Sequence, residues 1–254
     1  MHDPVCGDIL CKGVVNLCKM PIEFFDPENV YAIFSNRNYA TKRHIHYAME
    51  IVCSTEGTFS VDVDGTKYES LQSIIIPPNL PHSFSCPDAT CNLLFLDPIS
   101  PLGSYFMQRY NLASCKDVLC NVPTAELFHS RGEFDMSQLL AAAKKQSGDY
   151  LDDRIHSCIQ AIDTRFADEN VTLSELSGVS FLSESRLAHL FKEQLGISVH
   201  QYVLWRKIIL AVSKSRSGMS LTSCAHAVGF ADSAHFSKAF VRMFGIKPFF
   251  VLKG

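Results

Sequence analysis

The segment RHIHYAMEIVCSTEG, residues 43–57, concentrates residue types that can do chemistry. His44, His46 and Glu50 all fall at even positions. Successive side chains of a strand point to opposite faces, so on a strand these three share one face. With His82 from a facing strand they offer three imidazoles and a carboxylate. That donor set suits a transition metal ion: Fe, Mn, Ni, Cu or Zn. The same four residues also suit the lining of an organic-effector pocket, or a satisfied hydrogen-bond cluster. The odd positions, Ile45, Tyr47, Met49, Ile51 and Cys53, are the more apolar set. Alternation alone buries that set and turns the His/His/Glu face toward solvent or a polar pocket.

The elements around these residues read as strands over 20–97. FSVDVDGTKY, 59–68, alternates Phe59, Val61 and Val63 with polar residues, and Asp64-Gly65 supplies the turn of a tight hairpin. Ile74-Ile75-Ile76 is a short buried run ended by Pro77-Pro78-Asn79. Many short strands with turn signals predict a sandwich or barrel. Beyond Asp97 the pattern turns helical over 101–112, 134–146 and 152–166. Ile155, Ile159, Ile162 and Phe166 form an amphipathic stripe that Asp168-Glu169-Asn170 ends. Phe106, Tyr110, Leu139 and Leu140 give the 101–146 helices apolar faces for the core or for a second copy of the chain.

Charge divides the chain. Residues 1–170 carry 13 Lys+Arg against 22 Asp+Glu, and residues 171–254 carry 10 against 4. An acidic front joined to a basic tail points to a separate module for a polyanion, usually nucleic acid. The N-terminal MHDPVCGDILCK has charges and no long apolar run, which argues against a signal peptide, and no stretch of about 18 apolar residues predicts a membrane span. The ten cysteines are then expected as free thiols in a reducing cytosol. Cys6/Cys11, Cys86/Cys91 and Cys115/Cys120 lack the usual zinc-knuckle spacing and read as small core residues.

The basic tail contains an internal repeat. A shift of 49 residues places Ser174 on Ser223, Val179 on Val228, Phe181 on Phe230, Phe191 on Phe240, Gly196 on Gly245 and Ile197 on Ile246. Two copies of one supersecondary unit follow. Each has a short helix (172–178; 221–227), a tight turn and a longer helix (183–195; 232–244). Ser183 or Asp232 caps the longer helix, and Gly196 or Gly245 stops it. This is a helix-turn-helix, whose second helix enters the DNA major groove. Leu187, Leu190, Phe191 and Leu195 pack the first copy; Phe236, Ala239, Phe240 and Phe244 pack the second. The opposite faces carry Arg186, His189 and Lys192, then Ser233, Ser237 and Lys238. A helix over roughly 199–214, with Trp205, Arg206 and Lys207, joins the copies. The competing reading is an all-helical scaffold with a solvated basic face.

SLTSCAHAVGFADSAHFSKAFVRMFGIKP, 220–248, resembles the signature of the AraC/XylS family of bacterial transcription regulators, and LSELSGVSFLSESRLAHLFKEQLGIS, 173–198, resembles that family's first helix-turn-helix. The resemblance implies a seven-helix DNA-binding domain over about 152–254. It implies base-reading positions near Ser185, Ala188 and His189, and near Ser233, Ala234 and Lys238. Val251 and Leu252 depart from the aromatic and arginine the family usually has after Pro248. In front, His44-x-His46-x3-Glu50-x6-Gly57 resembles the first cupin motif. Pro77-x-Asn79-x2-His82 resembles the second, with Asn79 where glycine is usual and Cys86 where an asparagine is usual.

The expected protein has two domains. Residues 1–97 form an all-β cupin-like barrel sensor, 98–150 a helical connector, and 151–254 an all-α double helix-turn-helix. Its expected work is sequence-specific regulation of transcription, with activation the family tendency. Arg186, Lys192, Arg206, Ser237 and the six base-reading positions above face DNA. A small effector or metal ion binds in front, in a cytoplasmic bacterial protein. Double-stranded promoter DNA is the partner, with RNA polymerase and a second copy of the chain as further candidates and no membrane. The alternative is a cupin-type metal-dependent enzyme carrying a DNA-binding module.

Overall fold

The computed structural model describes residues 22–26, 29–112, 117–123, 134–146, 151–165, 171–244 and 247–248. Phe166, the 168–170 stop, Gly245, Ile246, Val251, Leu252, the N-terminal MHDPVC, Cys6, Cys11 and Cys115 lie outside the described residues.

The strands are β1 (Ile22–Asp26), β2 (Tyr31–Ala40), β3 (Met49–Glu56), β4 (Phe59–Val63), β5 (Thr66–Leu71), β6 (Ser73–Ile76), β7 (His82–Leu96) and β8 (Leu119–Cys120). β7 organises them. One of its edges pairs antiparallel with β2; the other is divided between β4, along His82–Ser85, and β3, along Thr90–Leu96. A left-handed residue, Asp88 (φ 58°), lies between the two stretches. The β4–β5 hairpin turns on Asp64 and Gly65, both at positive φ, as the Asp-Gly pair predicts. The pairing path runs β1-β2-β7-β3-β6-β8. The expected barrel is therefore an open sheet among the described residues. Its end strands, β1 and β8, are five and two residues long and pair on one side only.

Helices α1 (Pro101–Arg109) and α2 (Met136–Lys145) pack on one another and on one face of this sheet. Phe106 and Leu139 are buried there with Met49, Ile51, Ile75 and Leu94, while Tyr110 and Leu140 pack at the margin. The two buried residues thus serve the chain's own core.

The remainder is helical: α3 (Asp153–Arg165), α4 (Leu173–Ser180), α5 (Glu184–Leu195), α6 (Val199–Arg216), α7 (Leu221–Ala227) and α8 (Ser233–Phe244). Sequence-local signals set their ends. Thr172 and Glu175 form a capping box on α4, and Ser198 and Gln201 form one on α6. The Ser183 hydroxyl accepts from the Arg186 N–H, and Gly196 closes α5 at φ 74°. α5 and α8 have 12 residues each and begin 49 apart, as the repeat predicts. The turns before them differ. The left-handed residue is Gly229 (φ 77°) in the second pair but Phe181 (φ 54°), one register position later, in the first.

The two halves share cores. Tyr47 and Ala48, from the segment before β3, are buried with Leu187, Leu190, Phe191, Tyr202 and Trp205. Val52, Phe84 and Leu93 of the sheet belong to the cluster that also holds Ile208, Phe236 and Phe240. No described helix is long and apolar enough to cross a membrane.

Candidate functional site

His44, His46, Glu50 and His82 meet. Their candidate ligand atoms all lie within 4.8 Å of one another. The route is not the single strand expected. β3 begins only at Met49, and His44 and His46 lie on the irregular approach to it. His44 and His82 bridge through paired backbone hydrogen bonds of 2.9 and 3.0 Å. Glu50 enters from β3 between Ile76 of β6 and Phe95 of β7. The expected split of faces also fails. All four residues are buried, while Ile45, from the apolar set, is 42% exposed. The C-terminal helices cover what alternation would leave open: the His46 ring lies 6.3 Å from that of Phe244.

The imidazoles are oriented by backbone carbonyls. Nδ1 of His44, His46 and His82 lies 2.9, 2.7 and 2.8 Å from the carbonyl oxygens of Lys42, Ala48 and Leu80. A carbonyl only accepts, so each Nδ1 carries hydrogen, and Nε2 is the atom left for a ligand. Nε2 of His46 and of His82 lie 3.3 and 3.2 Å from Glu50 Oε2. In neutral rings those are bare lone pairs facing a carboxylate oxygen. A proton or a cation must lie between them.

Electrostatics follow from this packing. Burial, with His46 and His82 alongside, lowers the His44 pKa to about 3, so His44 is a neutral ring near neutrality. Burial alone would raise Glu50, but hydrogen bonds from His46 and His82 outweigh it and hold the carboxyl well below its usual range. Burial likewise works against a charged His82, and the Glu50 carboxylate overcomes it and raises that pKa. A cation bound here would take the place of any proton between His82 Nε2 and the Glu50 carboxylate.

The residues fit an ion. Donors about 2.0–2.1 Å from a tetrahedrally bound centre are separated by about 3.3 Å, which matches the two Nε2–Oε2 distances. Beside the cluster lies a tight apolar cavity of about 50 Å³, lined by His44 and Glu50 together with Phe34, Phe95, Trp205 and Phe244.

The second candidate site is the outer face of the helix pairs. Leu187, Leu190, Phe191 and Leu195 of α5 are buried, as are Phe236 and Phe240 of α8. Ser185, Arg186, His189, Lys192, Ala234 and Lys238 are exposed; Ala188, Ser233 and Ser237 are half-buried. Arg206 is a correction. It does not face solvent with the others: its side chain is 18% exposed, with Nε 2.8 Å from Asp163 and Nη1 3.8 Å from Asp97. Asp97 is buried and accepts the indole N–H of Trp205 at 2.9 Å. Buried carboxylates need a cation nearby, and Arg206 supplies it across the two halves. Sequence reading missed a cleft of about 860 Å³ between the pairs, lined by Ala188, His200, Lys207, His235, Lys238 and Arg242. The i, i+3, i+7 spacing of His235, Lys238 and Arg242 on α8 was the available signal.

A helix-turn-helix domain family model matches residues 176–253. The chain is 38% identical over 81 residues to a probable transcriptional regulator, LumQ, of Photobacterium leiognathi, covering 32% of this chain and 33% of that one. It is 33% identical over 103 residues to the arabinose operon regulatory protein of Escherichia coli K12, covering 39% and 34%. The chain thus matches about a third of the length of these curated relatives. Among solved structures it is similar to ToxT of Vibrio cholerae, with a TM-score of 0.57 and 15% identity over 88% of this chain and 98% of that one. A ToxT structure described as bound to unsaturated fatty acid gives 0.58 at 15% identity, over 87% and 95%. At such identity the shared feature is the fold: a sheet-rich N-terminal region followed by a helical C-terminal one.

Proposed function

We propose that the chain is an AraC/XylS-type regulator with an N-terminal sensor domain, and a sequence-specific transcription activator of promoter DNA. In this reading 151–254 is a double helix-turn-helix, 1–97 a cupin-like sensor and 98–150 the connector. The observation that carries it is the repeat: two 12-residue helices, 49 positions apart, each burying one face and exposing the other. α6 spans 18 residues between the pairs, or about 27 Å at 1.5 Å per residue. That reach suits two major-groove segments about 34 Å apart. Ser185, Arg186, Ala188, His189 and Lys192 read or grip one segment, and Ser233, Ala234, Ser237 and Lys238 the other. Selection of duplexes from a randomised library by the full chain tests this. A bipartite consensus with centres one helical turn apart is expected. Failure to retain any duplex would support the scaffold reading instead.

The effector we propose is a transition metal ion held by His44, His46, Glu50 and His82. The facing Nε2 lone pairs and Glu50 oxygen support it. Organic ligand pockets usually run to about 300–1,000 Å³, so the adjoining cavity of about 50 Å³ would have to widen to admit one. Once bound, an ion would neutralise the Glu50 carboxylate and tie the 44–50 segment to the start of β7. Relatives that regulate transcription support reading the cluster as a sensor and not as a catalytic centre. Elemental analysis of gently purified chain tests it: nearly one ion per chain is expected, lost in the double variant His46→Ala/His82→Ala. An organic ligand in the mass spectrum and no ion would favour an organic effector instead, as in the ToxT structure described as bound to unsaturated fatty acid.

A further inference from the structure

We propose that Asn79 couples metal occupancy of the His/Glu cluster to α5, the first recognition helix; the inference rests on the metal reading above. Asn79 stands where the motif it belongs to usually has glycine. Its φ is 61°, a conformation glycine adopts without strain, so the side chain is what this chain adds. The Asn79 N–H donates to the His46 carbonyl at 2.8 Å, and three residues later the same loop delivers His82. The loop is thus tied to one candidate ligand and ends on another.

The Asn79 side chain reaches the other way. Its Nδ2 lies 2.7 Å from the position a Cβ on Gly196 would occupy. Gly196 is the left-handed cap that closes α5. The amide fills the space that any residue but glycine would claim. A second attachment lies on the other side of His46. Tyr47 and Ala48 are buried among Leu187, Leu190, Phe191 and Leu195 of α5. The segments that carry the ligands therefore hold α5 by its buried face and by its C-terminal cap. An ion drawing His46 and His82 onto Glu50 fixes the distance between those two residues, and with it the 77–81 loop that ends on His82. Dense interiors pass small displacements on to their neighbours, and Asn79 is the group in contact with the helix end.

Hydrogen exchange on the full chain, with and without Zn²⁺, tests the coupling. In the natural sequence zinc should slow exchange across residues 190–196 by about fivefold or more, the low end of measured site-to-site couplings. Asn79→Gly keeps the left-handed backbone and the bond to His46. It should bind one zinc per chain yet lose the effect on 190–196 while retaining protection over 44–82. Gly196→Ala, which forces a methyl group into the amide's place, should weaken zinc binding reciprocally. Full protection of 190–196 in Asn79→Gly, or protection confined to 44–82 in the natural sequence, would overturn the coupling and leave the metal reading standing. Failure of the natural sequence to bind zinc or any of Fe, Mn, Ni and Cu would overturn the metal reading, and the coupling with it.

Discussion

The two helix pairs share one sequence register and are held in different ways. In the first, Phe181 takes the left-handed turn position and is 93% exposed. In the second, Gly229 takes the turn, and Phe230, the register partner of Phe181, is buried at 5% exposure against Phe236. The first pair is buried with Tyr47 and Ala48 from the segment before β3 and with Ile155, Ile159 and Ile162 of α3, whereas the second shares a core with Val52, Phe84 and Leu93 of the sheet. A repeat therefore fixes helix length and spacing without fixing what each copy leans on. The first copy meets the ligand-bearing segments at its cap and buried face, and the second meets His46 through Phe244 at the end of α8.

This contrast can be broken most forcefully at Phe230. Phe230→Ala should cost about 3–5 kcal/mol in denaturant unfolding, the usual range for a buried phenylalanine. Phe181→Ala should change stability by less than about 0.5 kcal/mol, as surface substitutions do. Equal losses at the two positions would erase the distinction.

A second test uses base reading. His189 is exposed, and its contact with Glu193, at 3.9 Å, is a surface ion pair of little weight. His189→Ala should lose about 1–3 kcal/mol of discrimination at one or two base pairs in one half of the site. Ser237→Ala should act only on the other half. Selection on randomised duplexes reads both; uniform weakening across all sequences would make His189 a phosphate contact.

Lys192→Ala and Lys238→Ala, one from each pair, should each reduce the salt slope of DNA binding by about 1. Arg206→Ala should leave that slope unchanged and lower stability instead, since its partners are Asp97 and Asp163. Binding measured across a range of salt concentrations separates the two kinds of residue.

Acid distinguishes the pairs through the cluster. His82 has a raised pKa, so its proton competes with metal from above the ordinary value near 6.5 downward. Zinc affinity should fall as pH drops through that range, measured by competition with a chelator. In the metal-free chain, His44 works in the opposite sense. Its folded pKa is near 3 against 6.5 unfolded, so its contribution is full above pH 6.5 and is lost progressively as pH falls toward 3. The smallest expected effect is at the exposed turn. Phe181→Gly should stabilise the chain slightly, by no more than about 1 kcal/mol, because a bulky residue gives up a left-handed φ.

The helical half was largely legible because its signals are local. Ser183, Gly196 and the Leu187/Leu190/Phe191/Leu195 stripe lie within a few turns of what they control. The cluster was legible as composition but not as geometry. His44 and His46 reach Glu50 and His82 through an irregular segment, and the alternation argument holds only for a regular strand. Arg206 was misread because its partners, Asp97 and Asp163, lie far off in sequence. The closed barrel was misread because strand signals do not say which edges pair. The wedge at Asn79 was visible only as a departure from a motif, with no hint of Gly196 on the other side.

Trp205 gives the chain a built-in optical gauge. It is the single tryptophan in 254 residues. It is buried at the seam, with its ring 5.8 Å from Tyr47 and 6.1 Å from Phe244, and its N–H on Asp97. Indole emission moves to longer wavelength when water reaches the ring. Any event that parts the sheet half from α6 should therefore register as a red shift from one known position, in unlabelled protein and with no second fluorophore of its kind to subtract.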